Sequence, residues 1–145
     1  MRYILLSIFA ALVDLGSKQT VKKYMKTGEK KQVKGRFYLW HIKNKGLAYN
    51  KFEDKKEMVL TASLAAVGAV AVYLLHLIRI GAKPIDKAGA ALILGGGLVN
   101  LAERIKNGEV TDFLYIKAGK LPVFNIADVT ASLGGIIVVL RSLFR

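Results

Sequence analysis

Met58 to Ile80 reads M-V-L-T-A-S-L-A-A-V-G-A-V-A-V-Y-L-L-H-L-I-R-I, with no formal charge before Arg79. A bilayer core is crossed by ~20 apolar residues rising about 1.5 Å each, so this run predicts a spanning helix over residues 58–80. Three more apolar runs, at about 3–20, 88–102 and 122–140, predict three more. The first could instead be a secretory leader, since Arg2 precedes an apolar core. Asp14 and Lys18 follow at once, however, and an uncleaved first helix suits the later spans better. Four spans put both termini on one side, and 145 residues suggest a single membrane domain, 1–145.

The charge balance fits that picture. The chain is 53% hydrophobic yet carries 23 Lys and Arg against 10 Asp and Glu, a formal net charge of +13. Basic balance usually suggests nucleic acid; beside spanning runs it points to anionic lipid headgroups, so membrane lipids are expected partners and nucleic acid is not. Cysteine is absent, which removes disulfides, a thiol nucleophile and thiolate metal sites. It also means that the chain cannot itself be lipidated at Cys. His41 and His76 are too few and too far apart for a zinc site or a Ser-His-Asp triad.

A polar insert, about residues 21–57, separates the first two spans. K-K-Y-M-K-T-G-E-K-K is a solvated connection turning at Gly28. Val33 to Phe52 carries Phe37, Tyr38, Leu39, Trp40 and Ile42, an aromatic and β-branched cluster that reads as strand folding back at Gly46. Tyr38, Trp40 and Tyr49 suit either headgroup level or ordinary strand packing. Glu103 to Leu121 reads as a return to polar sequence with a turn at Asn107-Gly108. Ala91 and Gly95 have the small-residue spacing of closely packed membrane helices. Gly95-Gly96-Gly97 lacks the lysine of a phosphate loop and is better read as helix packing.

The charged residues beside these spans carry the chemistry. An ionisable group at membrane depth is costly and marks a functional site by default. Asp112 and Asp128 are two such acids, and a pair suggests acid–base work. Each also has a plainer reading: Asp112 as a loop aspartate, Asn125-x-x-Asp128 as a helix cap. Asp14 and Lys18, four apart, read either as a local ion pair or as neighbours of the acids. Asn44, Asn100, Arg104, Asn125, Asp112 and Asp128 gather at one end of the predicted bundle.

Four blocks in order give these residues a family likeness. D-L-G-S-K (Asp14 to Lys18), N-K-G-L-A-Y (Asn44 to Tyr49), G-G-G-L-V-N-L-A-E-R (Gly95 to Arg104) with V-T-D-F (Val110 to Phe113), and F-N-I-A-D (Phe124 to Asp128) resemble the motifs of lipoprotein signal peptidase, or signal peptidase II. The resemblance implies an all-α membrane protein, four transmembrane helices with a small extracytoplasmic β-cradle, here Val33 to Phe52. It implies an aspartic endopeptidase that cuts diacylglyceryl-modified prolipoproteins just before the lipidated Cys. Asp112 and Asp128 would be catalytic, with Asn44, Gly46, Asn100, Arg104, Asn125, Asp14 and Lys18 as supporting or substrate-binding residues. No metal and no cofactor is implied, and a monomer in a bacterial inner (cytoplasmic) membrane is expected. This chain departs from the family's usual Gly at Val99 and usual Asp at Glu103; Glu103 lengthens an acidic arm beside Arg104.

Two expectations compete with that reading. The resemblance places both termini in the cytoplasm and the acids toward the extracytoplasmic side. Yet the insert, with Lys22, Lys23, Lys26, Lys30, Lys31 and Lys34, is more basic than the opposite loops, and loop charge alone argues for the inverse orientation. From another class, a non-enzymatic four-helix transporter or channel subunit could use the same aspartates as an ion or proton path.

Overall fold

The structure, a computed structural model, describes residues 1–47 and 50–144. Tyr49 and Arg145 therefore lie outside the described residues, as does the Ala48-Tyr49 end of the second motif. The elements in order are α1 (Arg2–Tyr24), β1 (Lys30–Lys34), β2 (Phe37–Asn44), α2 (Lys56–Arg79), α3 (Pro84–Asn107), β3 (Val110–Ile116) and α4 (Ile126–Leu143). All four helices are long and apolar enough to cross a membrane.

Helix α3 is the centre of the bundle and packs on α1, α2 and α4. Small residues make that possible. A methyl group added at Gly95 would come within 2.5 Å of the Ser7 carbonyl oxygen of α1. At Gly96 it would lie 2.3 Å from the Ala127 carbonyl oxygen, and at Gly134, on α4, 2.4 Å from that of Gly89. Ser7 Oγ donates to the Ala91 carbonyl at 2.8 Å, so the Ala91–Gly95 face is where α1 meets α3. The outward faces stay apolar and exposed, including Phe9 and Leu12 on α1 and Val72 and Leu75 on α2. Such a surface is stable against lipid and not against water.

The helix ends differ from the sequence expectation in ways the chain explains. Pro84 begins α3 four residues earlier than expected, because proline suits the first helical turn, where its missing N–H is not needed. The helix then runs on through the charged residues Glu103 to Lys106 and stops at Gly108, whose φ of 71° puts it in the left-handed region. The expected turn at Asn107-Gly108 is present, and the helix reaches it by running five residues beyond the expected end at 102. Helix α1 likewise runs to Tyr24, and α4 starts at Ile126 rather than 122.

The sheet also differs from the sequence expectation. It has three antiparallel strands in the order β1-β2-β3. The chain folds back between β1 and β2 at Gly35-Arg36, not at Gly46, and Gly35 has a φ of 54°. The third strand, V-T-D-F-L-Y-I, comes from the stretch expected to be polar loop, and it sets Asp112 opposite Ile42. Tyr38 and Trp40 pack on Tyr115 of β3, centroids 6.0 and 5.3 Å apart, beneath the Lys30 ammonium. Strand packing accounts for both rings. Phe113 buries against Val21 and Met25, fixing β3 to the end of α1.

Replacing Gly96 with Ala is expected to destabilise the bundle by about 1–3 kcal/mol through overpacking. Gly135→Ala, where added bulk meets nothing within 4 Å, should not. Thermal unfolding of the two variants in one detergent makes the comparison.

Candidate active site

Two acids from different elements meet at the sheet end of the bundle. Asp112 is fixed by β3, between the buried Thr111 and Phe113. Asp128 sits in the first turn of α4, whose cap is Asn125. The Asn125 side-chain oxygen accepts the Asp128 N–H at 2.9 Å, and Asp128 Oδ2 accepts the Asn125 N–H at 3.0 Å. The helix-cap reading of this pair is therefore right. It does not exclude the other, because the amide nitrogen of Asn125 points the opposite way. Nδ2 donates to Asp112 Oδ1 at 2.6 Å, so one fully buried side chain joins both acids.

The remaining oxygens are held in the same manner. Asn100 of α3 donates to Asp128 Oδ1 at 2.9 Å, and Asn44 of β2 donates to Asp112 Oδ2 at 2.9 Å. Asn44 Oδ1 also accepts the Gly46 N–H, and the Gly46 carbonyl accepts from the Arg104 guanidinium at 2.9 Å. At Gly46 a β-carbon would fall 2.2 Å from the Lys51 carbonyl oxygen, so glycine is required by the close return of the chain. Arg104 Nε is buried with no partner among the described residues.

Behind the acids lies a buried ion network. Lys18 Nζ is 2.6 Å from Asp14 Oδ2, 3.0 Å from Glu103 Oε2 and 2.7 Å from Asn100 Oδ1. Asp14 Oδ1 accepts the Ala127 N–H at 2.8 Å, one of the free donors of the α4 N-terminus. Both expectations for Asp14 and Lys18 are met: they pair, and through Asn100 they touch the acid pair. Glu103 was expected beside Arg104. Instead it turns toward α1 and β3, bonding Lys22, the Thr111 N–H at 3.0 Å and the Thr111 hydroxyl at 3.1 Å. Thr111 lies within the V-T-D-F block but is not singled out there, since nothing local marks a threonine whose partner comes from the preceding helix.

The acids open onto a cleft of about 590 Å³. Its polar end is formed by Asn44, Asn100, Arg104 and the two acids, its apolar wall by Phe124, Val129 and Leu133. Burial pushes the Asp112 carboxyl up to about 6. The Asn44 hydrogen bond works against that rise, the nearby negative charge of Asp128 adds to it, and the Asn125 bond opposes it again.

A family model, signal peptidase (SPase) II, matches residues 6–144. The chain belongs to the signal peptidase II family. The lipoprotein signal peptidase of Yersinia pseudotuberculosis serotype O:1b is 33% identical over 144 residues, covering 96% of this chain and 85% of the relative. That of Yersinia pestis is 32% identical over the same shares. Among solved structures, a bacterial membrane enzyme determined by the in meso method superposes with a TM-score of 0.86 at 23% identity, covering 98% of this chain and 87% of that one. A second, at 24% identity, has a TM-score of 0.77 and covers 98% and 92%. At these identities the structural matches speak for the fold alone. They share the arrangement of four helices and a small sheet.

A raised carboxyl favours the folded state only while protonated. Its contribution is therefore complete below the ordinary value of 3.8 and is lost as pH rises through about 6. Unfolding temperatures in detergent at pH 4 and pH 7 should show that loss in the unmodified protein. Asp112→Asn, which cannot ionise, should show a smaller decline.

Proposed function

We propose that this signal peptidase II family member is an aspartic endopeptidase. Its substrate would be a diacylglyceryl-modified prolipoprotein, cut just before the lipidated Cys, with Asp112 and Asp128 as the catalytic pair. The observation that carries this reading is the joining of two buried acids by Asn125 at the polar end of a cleft whose wall is apolar. A lipidated peptide has the matching polarity: a polar scissile amide beside acyl chains.

Two neighbouring carboxylates cannot both ionise cheaply, so one holds a proton while the other is charged. The ionised member takes a proton from water as that oxygen attacks the scissile carbonyl carbon. The protonated member hydrogen-bonds the carbonyl oxygen and then gives its proton to the departing nitrogen. The C–N bond breaks, and the carboxylic acid and amine products leave the pair ready to be reset. The pair titrates as a unit, so its apparent ionisations belong to the two residues together.

Asn44, Asn100 and Asn125 fix the four carboxylate oxygens in this scheme, and such fixing lowers the cost of reaching the reacting geometry. Arg104, joined to Gly46, brings a positive charge to the cleft rim suited to a substrate carbonyl or a lipid phosphate. Asp14 and Lys18 hold α1 to this constellation. The reading takes the chain as one membrane unit, acting as a monomer with the cleft toward the extracytoplasmic side.

The transport alternative has no support from the family assignment. Asp14, its most deeply buried acid, is committed to Lys18 and the Ala127 N–H.

Purified protein incubated with a diacylglyceryl-modified prolipoprotein should release the signal peptide. Asp112→Asn and Asp128→Asn should each lower the rate by at least about 10²–10⁴-fold with insertion intact; an unaltered rate in either would remove that residue from the pair. The rate should show an ionisation of the pair near pH 6, since burial pushes the Asp112 carboxyl up to about 6. Orientation is tested separately. Lys31→Cys, in a chain without other cysteines, should react with an impermeant thiol reagent in intact cells, and protection until lysis would defeat the proposed side.

A further inference from the structure

Glu103 and Lys22 form a connection that makes no contact with the acid pair itself. The Glu103 carboxylate is nearly buried, yet both its oxygens are in use. Oε2 meets Lys18 Nζ and the Thr111 N–H, while Oε1 meets Lys22 Nζ and the Thr111 hydroxyl. Thr111 immediately precedes Asp112. Its carbonyl oxygen accepts from Asn125 Nδ2 at 3.4 Å, so the peptide leading into Asp112 is held from α3 on one side and from the α4 cap on the other.

An acid in this place is costly by itself. It lies near the C-terminal end of α3, where the helix dipole disfavours negative charge, and burial adds to the cost. Two lysines of α1, four residues apart, offset both. Lys22 is 42% exposed and reaches in from the surface, whereas Lys18 is fully buried and shared with Asp14 and Asn100. With Lys22 sharing Glu103, the Lys18 ammonium can stay on Asn100, the donor to Asp128. The length of the side chain matters here. Aspartate is one methylene shorter and would have to give up either the α1 lysines or Thr111.

We infer that Glu103, held by Lys22, is a positioning residue: it anchors Thr111 so that Asp112 faces Asp128, and it keeps Lys18 on Asn100. The inference rests on the peptidase reading above. Glu103 touches neither acid and acts only through Thr111 and Lys18. Since catalytic geometry is sensitive to displacements of about 1 Å, loosening this anchor should slow the chemical step more than it weakens substrate binding.

The test uses full-length protein in detergent with the lipid-modified peptide substrate. Glu103→Ala should lower kcat by about ten- to a hundredfold while KM stays within about twofold. Glu103→Asp keeps the charge but not the reach and should fall between Ala and the unmodified protein. Lys22→Met, at an exposed site where folding is not in question, should lower kcat by about two- to fivefold.

The pH–rate profile separates positioning from general damage. Among the charged groups at this end, Lys18 of α1, Arg104 of α3 and Asp128 of α4 act on Asp112 directly; Asp14 acts on Asp128, Glu103 on Arg104 and Lys22 on Glu103, while Lys43 of β2 lies opposite Thr111 and pairs with Glu109. Removing the negative charge in Glu103→Gln should move the ionisation near pH 6 to lower pH. Removing the positive charge in Lys22→Met should move it to higher pH. Opposite shifts support the inference. Lys22→Met and Glu103→Gln with unaltered kcat and superimposable profiles overturn it, even if Glu103→Ala does not fold. A rise in KM alone also overturns it.

Should the unmodified protein release no signal peptide, the peptidase reading fails first. Amide exchange at Thr111 then decides the anchor by itself: faster exchange in Glu103→Gln supports it, and unchanged exchange overturns it.

Discussion

A lysine ammonium with no exposure to solvent organises this end of the molecule. A lone buried cation would be prohibitively expensive, and in hydrocarbon the cost is no smaller. Lys18 is tolerated because Asp14, Glu103 and Asn100 surround it. Each of these has a second duty: Asp14 receives the Ala127 N–H, Glu103 receives Thr111, and Asn100 donates to Asp128. One desolvated charge thereby sets the relative positions of α1, α3, β3 and α4. Breaking such a group by removing one member leaves the others buried and uncompensated, so the network behaves as a unit and not as a set of separable bonds.

The same economy governs the sheet. Three short strands would not be stable alone in water. Here β3 is clasped by Phe113 against the end of α1, by Glu103 beneath Thr111, and by Asn125 on Asp112. A strand fixed at successive residues can present a carboxylate to a helix N-terminus with little freedom left to lose. The aromatic cluster of Tyr38, Trp40 and Tyr115 beneath Lys30 stiffens the far end.

Most of the architecture could be read from the residues, because hydrocarbon imposes a length and a composition that few other environments do. The runs around Met58 to Ile80 and Pro122 to Leu140 announce themselves. What escaped was settled by partners distant in the chain. Val110 to Ile116 has a strand's residue types, but only the presence of β2 makes it a strand. Glu103 to Asn107 is charged enough to suggest a loop, yet the helix continues because Lys18 and Lys22 of α1 meet Glu103 there. At the site, the short-range pairs, Asp14 with Lys18 and Asn125 with Asp128, follow from spacing. The joining of Asp112 to Asn125 and of Thr111 to Glu103 needs the fold. The cap and the acid pair, which read as rival explanations in one dimension, prove to be two ends of one side chain.

That shared side chain has an implication for how the protein can change. The side-chain oxygen of Asn125 caps a helix while its amide nitrogen donates to Asp112. A compound that borrowed this amide for its own grip would be competing with an atom the chain cannot alter without fraying α4. Escape by substitution would then have to come from the apolar wall around Val129 and Leu133, where side chains carry shape and little else.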